Sequence, residues 1–122
     1  MNTGCKITKF TTSVTTSENY ITERLNPPFK GGYVLLSIPG TDAEVIDIEV
    51  AERFRGRGLG RALMNRLIDA ARVRGAPRIF LEVAQDNLAA ISLYTGLGFT
   101  KIDTRKNYYG EGRHAFILSL IL

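Results

Sequence analysis

The feature that most constrains the fold is a glycine- and arginine-rich turn between an alternating apolar run and a helical pattern. Residues 45–50 alternate apolar and polar side chains, as a half-buried strand does. Residues 53–61 follow, with the sequence Arg-Phe-Arg-Gly-Arg-Gly-Leu-Gly-Arg, and from Gly58 onward apolar residues recur with a helical period. Glycines allow a ligand to approach the backbone, and a helix N-terminus offers unpaired N–H groups with partial positive charge. The turn is therefore predicted to bind an anion, and a phosphate group is the first candidate.

The spacing of the glycines narrows the choice of phosphate compound. The pattern Gly-x-x-x-x-Gly-Lys-Ser/Thr of nucleotide-hydrolysing P-loops is absent, and glycines at 56, 58 and 60 do not form Gly-x-Gly-x-x-Gly. The turn does fit Arg/Gln-x-x-Gly-x-Gly/Ala, through Arg55, Gly58 and Gly60. The alternative is a basic surface loop without a ligand. The position of the turn between a strand and a helix favours a bound ligand over this alternative.

Length and charge limit the class of protein. The 122 residues predict one domain, residues 1–122. There is no long apolar run and no signal-peptide pattern, so we expect a cytoplasmic protein without membrane contact. The single Cys5 predicts neither an internal disulfide nor a metal site. Seven of the sixteen basic residues fall between 53 and 74, but aromatic residues are not interleaved there. A small phosphorylated ligand is therefore favoured over nucleic acid.

The order of predicted elements is strands, helix, strand, helix and two strands. We expect strands at residues 5–10, 20–25, 33–38, 44–50, 78–83, 99–103 and 115–122, with a loop at 11–19. The run at 78–83 is apolar enough to predict a central strand covered on both faces. The first helix follows Gly58 and ends near Gly75, and the second is capped by Asp86 or Asn87. This order predicts an α/β fold with a mixed sheet.

Three segments together resemble the GNAT N-acetyltransferase superfamily. They are the Arg55-x-x-Gly58-x-Gly60 turn, the strand Leu81-Glu82-Val83, and residues 87–99 with Asn87, Tyr94 and Leu97-Gly98-Phe99. Each segment alone is a weak indication of this family, whereas their order and spacing together are specific. The resemblance extends from about residue 20 to the C-terminus. Within this superfamily, the sequence is most similar to the RimI-like enzymes, which acetylate the N-terminal amine of a ribosomal protein. The residues that carry this similarity are Glu82, Tyr94 and Asn107-Tyr108-Tyr109. The resemblance implies the GNAT fold, a mostly antiparallel mixed sheet flanked by helices.

The resemblance also implies acetyl-CoA as the co-substrate, with no metal. Its pyrophosphate would bind the turn before the first helix, largely through backbone N–H groups, and its pantetheine arm would pair with the preceding strand. The cofactor-binding residues implied in this way are Ile48, Glu49, Val50, Arg55, Gly56, Arg57, Gly58, Leu59, Gly60, Arg61 and Asn87.

The catalytic roles implied by the resemblance are a general base at Glu82 and a general acid at Tyr94. Glu82 could instead be a structural partner of an arginine, and Tyr94 a packed aromatic of the second helix. Glu49 is the competing base, and Asp47 shares its face of the strand but is farther from the thioester. Tyr108 and Tyr109 resemble tyrosines that hold the backbone of an acceptor peptide, or they are exposed hairpin aromatics. His114 is not predicted to be catalytic.

The chain departs from the family pattern near its N-terminus. Two helices usually follow the first strand in this family, whereas residues 11–19 leave room for at most a short turn. We therefore expect these helices to be reduced or missing, a more open acceptor site, and a possible homodimer over exposed apolar surface. The Arg113-His114 pair also stands where RimI-like sequences tend to be acidic.

The sequence therefore does not identify the molecule that accepts the acetyl group. The main expectation is a protein amine, either an N-terminal α-amine or a lysine. The alternatives are a small-amine acceptor, or a CoA-binding module that acts through protein or nucleic-acid contacts.

Overall fold

The described part of the chain forms a seven-stranded mixed sheet with two α-helices and one short 3-10 helix. The computed structural model describes residues 11–17, 20–27, 31–56 and 58–122. The strands are β1 (Thr11–Ser17), β2 (Tyr20–Asn26), β3 (Gly32–Ile38), β4 (Ala43–Val50), β5 (Arg78–Ala84), β6 (Thr100–Arg105) and β7 (Ala115–Ile121). The helices are α1 (Leu59–Val73) and α2 (Leu88–Gly96), with the 3-10 turn at Glu52–Phe54.

The sheet is antiparallel except at one junction in its middle. The strand order is β1-β2-β3-β4-β5-β7-β6. Strands β4 and β5 are parallel and pair only at Ala43 with Ile79 and at Glu44 with Phe80. Beyond these pairs β4 continues to Val50 and β5 to Ala84 without pairing to each other. The sheet is therefore open between the carboxyl ends of β4 and β5.

Both helices pack on the same face of the sheet. Helix α1 contacts β2, β3, β4 and β5, and its apolar stripe is buried against alternate residues of these strands. Helix α2 adds Tyr94 to the same core, next to α1. The fully buried large side chains include Leu25, Leu36, Leu63, Met64, Leu67, Ile79 and Leu118. The opposite face of β4, β5 and β7 carries Glu44, Phe80, Glu82 and Ile117, by the same alternation and register.

The predicted strands and helices from residue 20 onward are present in the structure. Helix α1 ends next to Gly75, whose φ of 77° is the left-handed conformation expected of a C-terminal glycine. Asn87 caps α2, because its Oδ1 accepts a hydrogen bond from the Ala90 N–H at 3.2 Å. Strand β5 is central, but it is not covered on both faces, since Arg78 and Glu82 are exposed. The predicted strand at residues 5–10 falls outside the described residues.

The predicted loop at residues 11–19 is wrong for most of its length. Residues 11–17 form β1, which pairs antiparallel with β2 from Thr11 opposite Asn26 to Ser17 opposite Tyr20. The side chains described in β1 are exposed, Val14 among them, so the strand has no apolar side to reveal it in sequence. Its threonines nevertheless favour an extended backbone. Strand β1 passes toward β2 without an intervening helix in the described residues, as expected for reduced N-terminal helices.

Among the described residues, no helix is long and apolar enough to cross a membrane.

Candidate active site

A cleft of about 400 Å³ lies at the carboxyl end of β4, between the N-termini of α1 and α2. Its lining includes most of the residues predicted to bind the cofactor: Ile48, Glu49, Val50, Arg55, Gly56, Gly58, Leu59, Gly60 and Asn87. Tyr94 lines the same cleft, together with Phe54, Ala89, Ala90 and Leu93. We call this space the donor cleft. Three sequence segments that are far apart in the chain thus meet around one cavity.

The glycine turn leaves the first amides of α1 without side-chain caps. Gly56 and Gly58 both have φ of 76°, a conformation that glycine adopts readily and other residues rarely do. Gly58 is the N-cap of α1 and offers no capping side chain, and no acidic residue stands in the first turn. Arg55 Nε donates to the Val50 carbonyl at 3.0 Å and so ties the turn to β4. This arrangement presents backbone N–H groups and the positive helix end to an anion in the cleft.

The two helices approach each other closely beside the donor cleft. A Cβ atom at Gly60 would lie 3.3 Å from Leu93 Cδ2, so glycine permits this contact between α1 and α2. Leu93 and Ala90 are partly buried against the core and also line the cleft. The cleft wall is therefore part of the apolar core.

One of the predicted cofactor residues that the structure describes, Arg61, does not line the cleft. Arg57 falls outside the described residues. The guanidinium of Arg61 points toward α2, where its Nη2 is 3.0 Å from the Cβ position of Gly96. Arg61 is in the first turn of α1, so only its backbone remains available for the predicted role.

A second cavity of about 430 Å³ adjoins the junction of β4 and β5. We call it the acceptor cavity. It is lined by Glu44, Val45, Ile46, Phe80, Leu81, Glu82, Tyr108, Tyr109 and Ile117. By strand register, Glu44, Phe80, Glu82 and Ile117 are on the face opposite the helices. Glu82 and both predicted substrate-binding tyrosines therefore share one cavity, separate from the donor cleft.

Glu82 is held by a partner on the neighbouring hairpin. Arg105 Nη1 donates to Glu82 Oε1 at 2.6 Å, with the Arg105 and Glu82 side chains 54% and 31% exposed. The guanidinium also lies over the ring of Tyr108, 5.0 Å from its centroid. The nearby Glu82 carboxylate raises the pKa of the Tyr108 hydroxyl. Arg105, which sequence reasoning missed, thus connects the predicted base with the predicted acceptor loop.

Tyr94 is the most buried polar side chain of the donor cleft, with 6% exposure. Its ring packs edge-on against Phe99, with centroids 6.0 Å apart. Burial raises the pKa of Tyr94, and nearby Tyr109 and Asp47 raise it further. The phenol therefore keeps its proton at neutral pH, as a general acid must.

The loop between β6 and β7 has a defined structure that presents its tyrosines. Asn107 adopts a φ of 57°, and its Oδ1 accepts from the Gly112 N–H at 2.8 Å. The Asn107 N–H donates to His114 Nδ1 at 2.9 Å. The rings of Tyr108 and Tyr109 contact edge to face at 4.9 Å. His114 thus has a structural contact within the loop.

The competing carboxylates on β4 have different surroundings. Glu49 is exposed and lines the donor cleft. Asp47 accepts a hydrogen bond from the Tyr33 hydroxyl, which raises the pKa of Tyr33. The Arg24 guanidinium lies over the Tyr33 ring at 3.9 Å. Of the two, Glu49 is the one that lines a cavity.

The mixed sheet that opens between β4 and β5, with the glycine turn beside this opening, is the fold of an acyltransferase. Residues 27–99 match the Acetyltransferase (GNAT) family, and the chain belongs to that family. It is therefore an acetyl-CoA-dependent acyltransferase with the GNAT fold, as the sequence resemblance indicated.

The relatives include enzymes with two kinds of acceptor. The chain is 36% identical over 107 residues to the [ribosomal protein bS18]-alanine N-acetyltransferase of Escherichia coli K12, covering 84% of this chain and 72% of the relative. A crystal structure of the ribosomal-protein-S18-alanine N-acetyltransferase from Escherichia coli has a TM-score of 0.74 and 33% identity, covering 87% of this chain and 71% of that one. A crystal structure of nourseothricin acetyltransferase has a TM-score of 0.72 and 28% identity, covering 97% and 87%.

Proposed function

We propose that the protein transfers the acetyl group of acetyl-CoA to a primary amine of a protein or peptide. The observation that carries this proposal is the opening of the sheet between β4 and β5. The donor cleft with Tyr94 and the acceptor cavity with Glu82 both adjoin it. An amine held in one cavity could therefore reach a thioester held in the other.

Binding of the donor follows from the donor cleft. The pyrophosphate would accept hydrogen bonds from the backbone N–H groups at Gly58, Leu59 and Gly60, next to the positive end of α1. The pantetheine arm would run along Ile48–Val50 of β4, whose inner edge is not paired with β5 at this level. One of these N–H groups would then donate to the thioester carbonyl and stabilise the developing oxyanion.

The chemistry is a direct attack of the amine on the thioester carbonyl carbon. Glu82 would accept a proton from the attacking nitrogen, directly or through a water molecule. The C–N bond forms, the C–S bond breaks, and Tyr94 would donate its proton to the departing thiolate of CoA. Tyr94 carries the proton that this step needs, because its pKa lies above the ordinary tyrosine value. Glu49 is the alternative base, since it lines the donor cleft.

The proposal of a peptide acceptor rests on the acceptor cavity and on the relatives. Tyr108 and Tyr109 stand on an ordered loop at the cavity, where their hydroxyls could hold the backbone of an extended peptide. The Escherichia coli relative is named for acetylating an alanine of a ribosomal protein. We extend an acceptor of this kind, a protein amine, to the present chain. We also propose that the protein acts in the cytoplasm as a single domain.

A small-amine acceptor is the second candidate. It is favoured by the similarity to nourseothricin acetyltransferase, which extends over 97% of this chain. The two candidates differ in the acceptor and share the donor chemistry.

A thiol-release assay with acetyl-CoA tests both the function and the residue roles. We expect turnover with peptides bearing a free N-terminus or a lysine, a kcat about a hundredfold lower in Tyr94→Phe, and a similar loss in Glu82→Gln. Tyr20→Phe is the control, because Tyr20 is exposed on β2. Full turnover in both site variants would remove the assigned roles. Preference for nourseothricin over every peptide would select the second candidate. A rise in melting temperature with acetyl-CoA but no turnover of any amine would leave a CoA-binding module.

A further inference from the structure

Two carboxylates line the acceptor cavity, and they differ in whether a basic side chain forms an ion pair with them. Glu82 is paired with Arg105 at 2.6 Å. Glu44 is exposed, and no lysine or arginine of the described chain forms an ion pair with it. We propose that Glu44 selects an acceptor peptide whose second or third residue, counted from the residue that is acetylated, carries a basic side chain. This inference rests on the proposed function and specifies the substrate class of the same site.

The register of the sheet sets the distance between the two carboxylates. Glu44 pairs with Phe80, and Glu82 is two residues further along β5 in the direction of the opening toward the donor cleft. Two residues of extended strand span about 7 Å. An amine that reaches the thioester beside Glu82 would therefore place the second or third residue of an extended peptide near Glu44.

The lining between the carboxylates suits the stem of a long basic side chain. Ile46, Phe80 and Ile117 form an apolar wall, and Ile46 is 49% exposed. Lysine and arginine bury their methylene groups on such surfaces while keeping the charged end near an acidic group. The wall and Glu44 together thus match a lysine or arginine better than a glutamate or a short polar residue.

Arg105, which contacts two residues of the cavity lining, leaves Glu44 as the available carboxylate. Arg105 occupies Glu82 and lies over Tyr108. A basic residue of the acceptor would be repelled from Arg105 and attracted to Glu44. The charge pattern therefore gives the bound peptide one direction, with its amine at Glu82 and its basic residue at Glu44.

The test compares two acceptor peptides that differ only at their second and third residues. Both have a free N-terminal alanine and an otherwise neutral sequence, and one has arginine and the other glutamine as both second and third residue. We expect wild type to show a KM about fivefold lower for the arginine peptide at low salt, with the difference lost at high salt. In Glu44→Gln the two KM values should become similar, with kcat unchanged. Glu44→Lys should raise the KM for the arginine peptide further. Asp69→Asn, on the surface of α1, is the charge-matched control and should behave as wild type.

Each outcome bears on the proposal. Equal KM values for both peptides in wild type, or the same change for both in Glu44→Gln, would overturn the role of Glu44 and leave the acetyltransferase function intact. Faster turnover of spermidine than of either peptide would overturn the peptide part. No turnover of any of these amines, with acetyl-CoA still bound, would overturn both this inference and the proposed function.

Discussion

Arg105 and Glu82 are joined across β6 and β5 by a 2.6 Å hydrogen bond within an ion pair, although β7 lies between their strands. Arg105 reaches over β7 to the carboxylate that we propose as the base, and it covers the ring of Tyr108 on the way. The loop between β6 and β7, which carries Tyr108, is thereby held in place relative to the proposed base.

Removal of the Arg105 charge should affect the acceptor and spare the donor. In Arg105→Gln we expect the KM for a peptide acceptor to rise about fivefold, a modest effect because the pair is partly exposed. Arg105→Lys should recover part of this loss. Affinity for CoA, measured by calorimetry, should be unchanged, since Arg105 does not line the donor cleft. Weaker CoA binding in Arg105→Gln would contradict the separation of the two sites.

Gly58→Ala should weaken CoA binding beyond its cost in stability. Gly58 has a φ of 76°, so a Cβ there is strained by about 1 kcal/mol, and the added methyl group would stand where the pyrophosphate is proposed to bind. Gly75→Ala is a matched control, because Gly75 has a φ of 77° at the other end of α1 and no atom within 4 Å of its Cβ position.

We expect both glycine variants to lose similar stability in urea unfolding, and only Gly58→Ala to lose CoA affinity, by at least tenfold. Equal CoA affinity in the two variants would count against the phosphate-binding turn.

The stability of the fold should decline steeply at alkaline pH. Burial raises the pKa of Tyr94 above the ordinary tyrosine value of 10.0, so the folded state keeps this proton to a higher pH than the unfolded chain. The contribution to stability is therefore fully present below pH 10.0 and is lost as the pH rises through the folded-state pKa. In Tyr94→Phe, unfolding free energies between about pH 8 and about pH 11 should fall less steeply. An equal slope in Tyr94→Phe and wild type would show that Tyr94 is not linked to alkaline unfolding.

The ion pair between Glu23 and Arg74 should be worth more than a surface pair. Glu23 is 7% exposed on β2, and Arg74 Nε donates to its Oε1 at 2.9 Å from the end of α1. Arg74→Ala leaves a buried carboxylate without its partner, and we expect a loss of about 2 kcal/mol in the free energy of unfolding.

Arg72→Ala is the comparison for Arg74→Ala, since its exposed pair with Asp69 spans 3.9 Å and should contribute less than about 0.5 kcal/mol. Urea unfolding measures both variants, and similar losses would mean that burial adds nothing to the Glu23 pair.

Local sequence patterns were sufficient to predict the two α-helices and the glycine turn before α1. The helical period after Gly58, the terminal Gly75 and the cap at Asn87 each act within a few residues, so the sequence displays them directly. The acceptor side depends on contacts between distant segments. Nothing local indicates that Arg105 reaches Glu82 or that Glu44 shares a cavity with Tyr109, because these pairs are brought together by strand register.

The edge strand β1 was missed for a different reason. The alternation that reveals a strand arises when one face is buried, and in β1 the described side chains are exposed. Its extended form is specified by hydrogen bonding to β2 rather than by burial of its own side chains.

The short pairing of β4 with β5 has a consequence for the order of events in catalysis. The donor cleft opens beside the N-termini of the helices, and the acceptor cavity opens on the sheet face away from them. With acetyl-CoA in one and the amine in the other, as we propose, each substrate could arrive and depart while the other stays bound. Acetylation should proceed through a ternary complex rather than an acetylated enzyme. Double-reciprocal plots at several acceptor concentrations should give intersecting lines, and either product should be free to dissociate first.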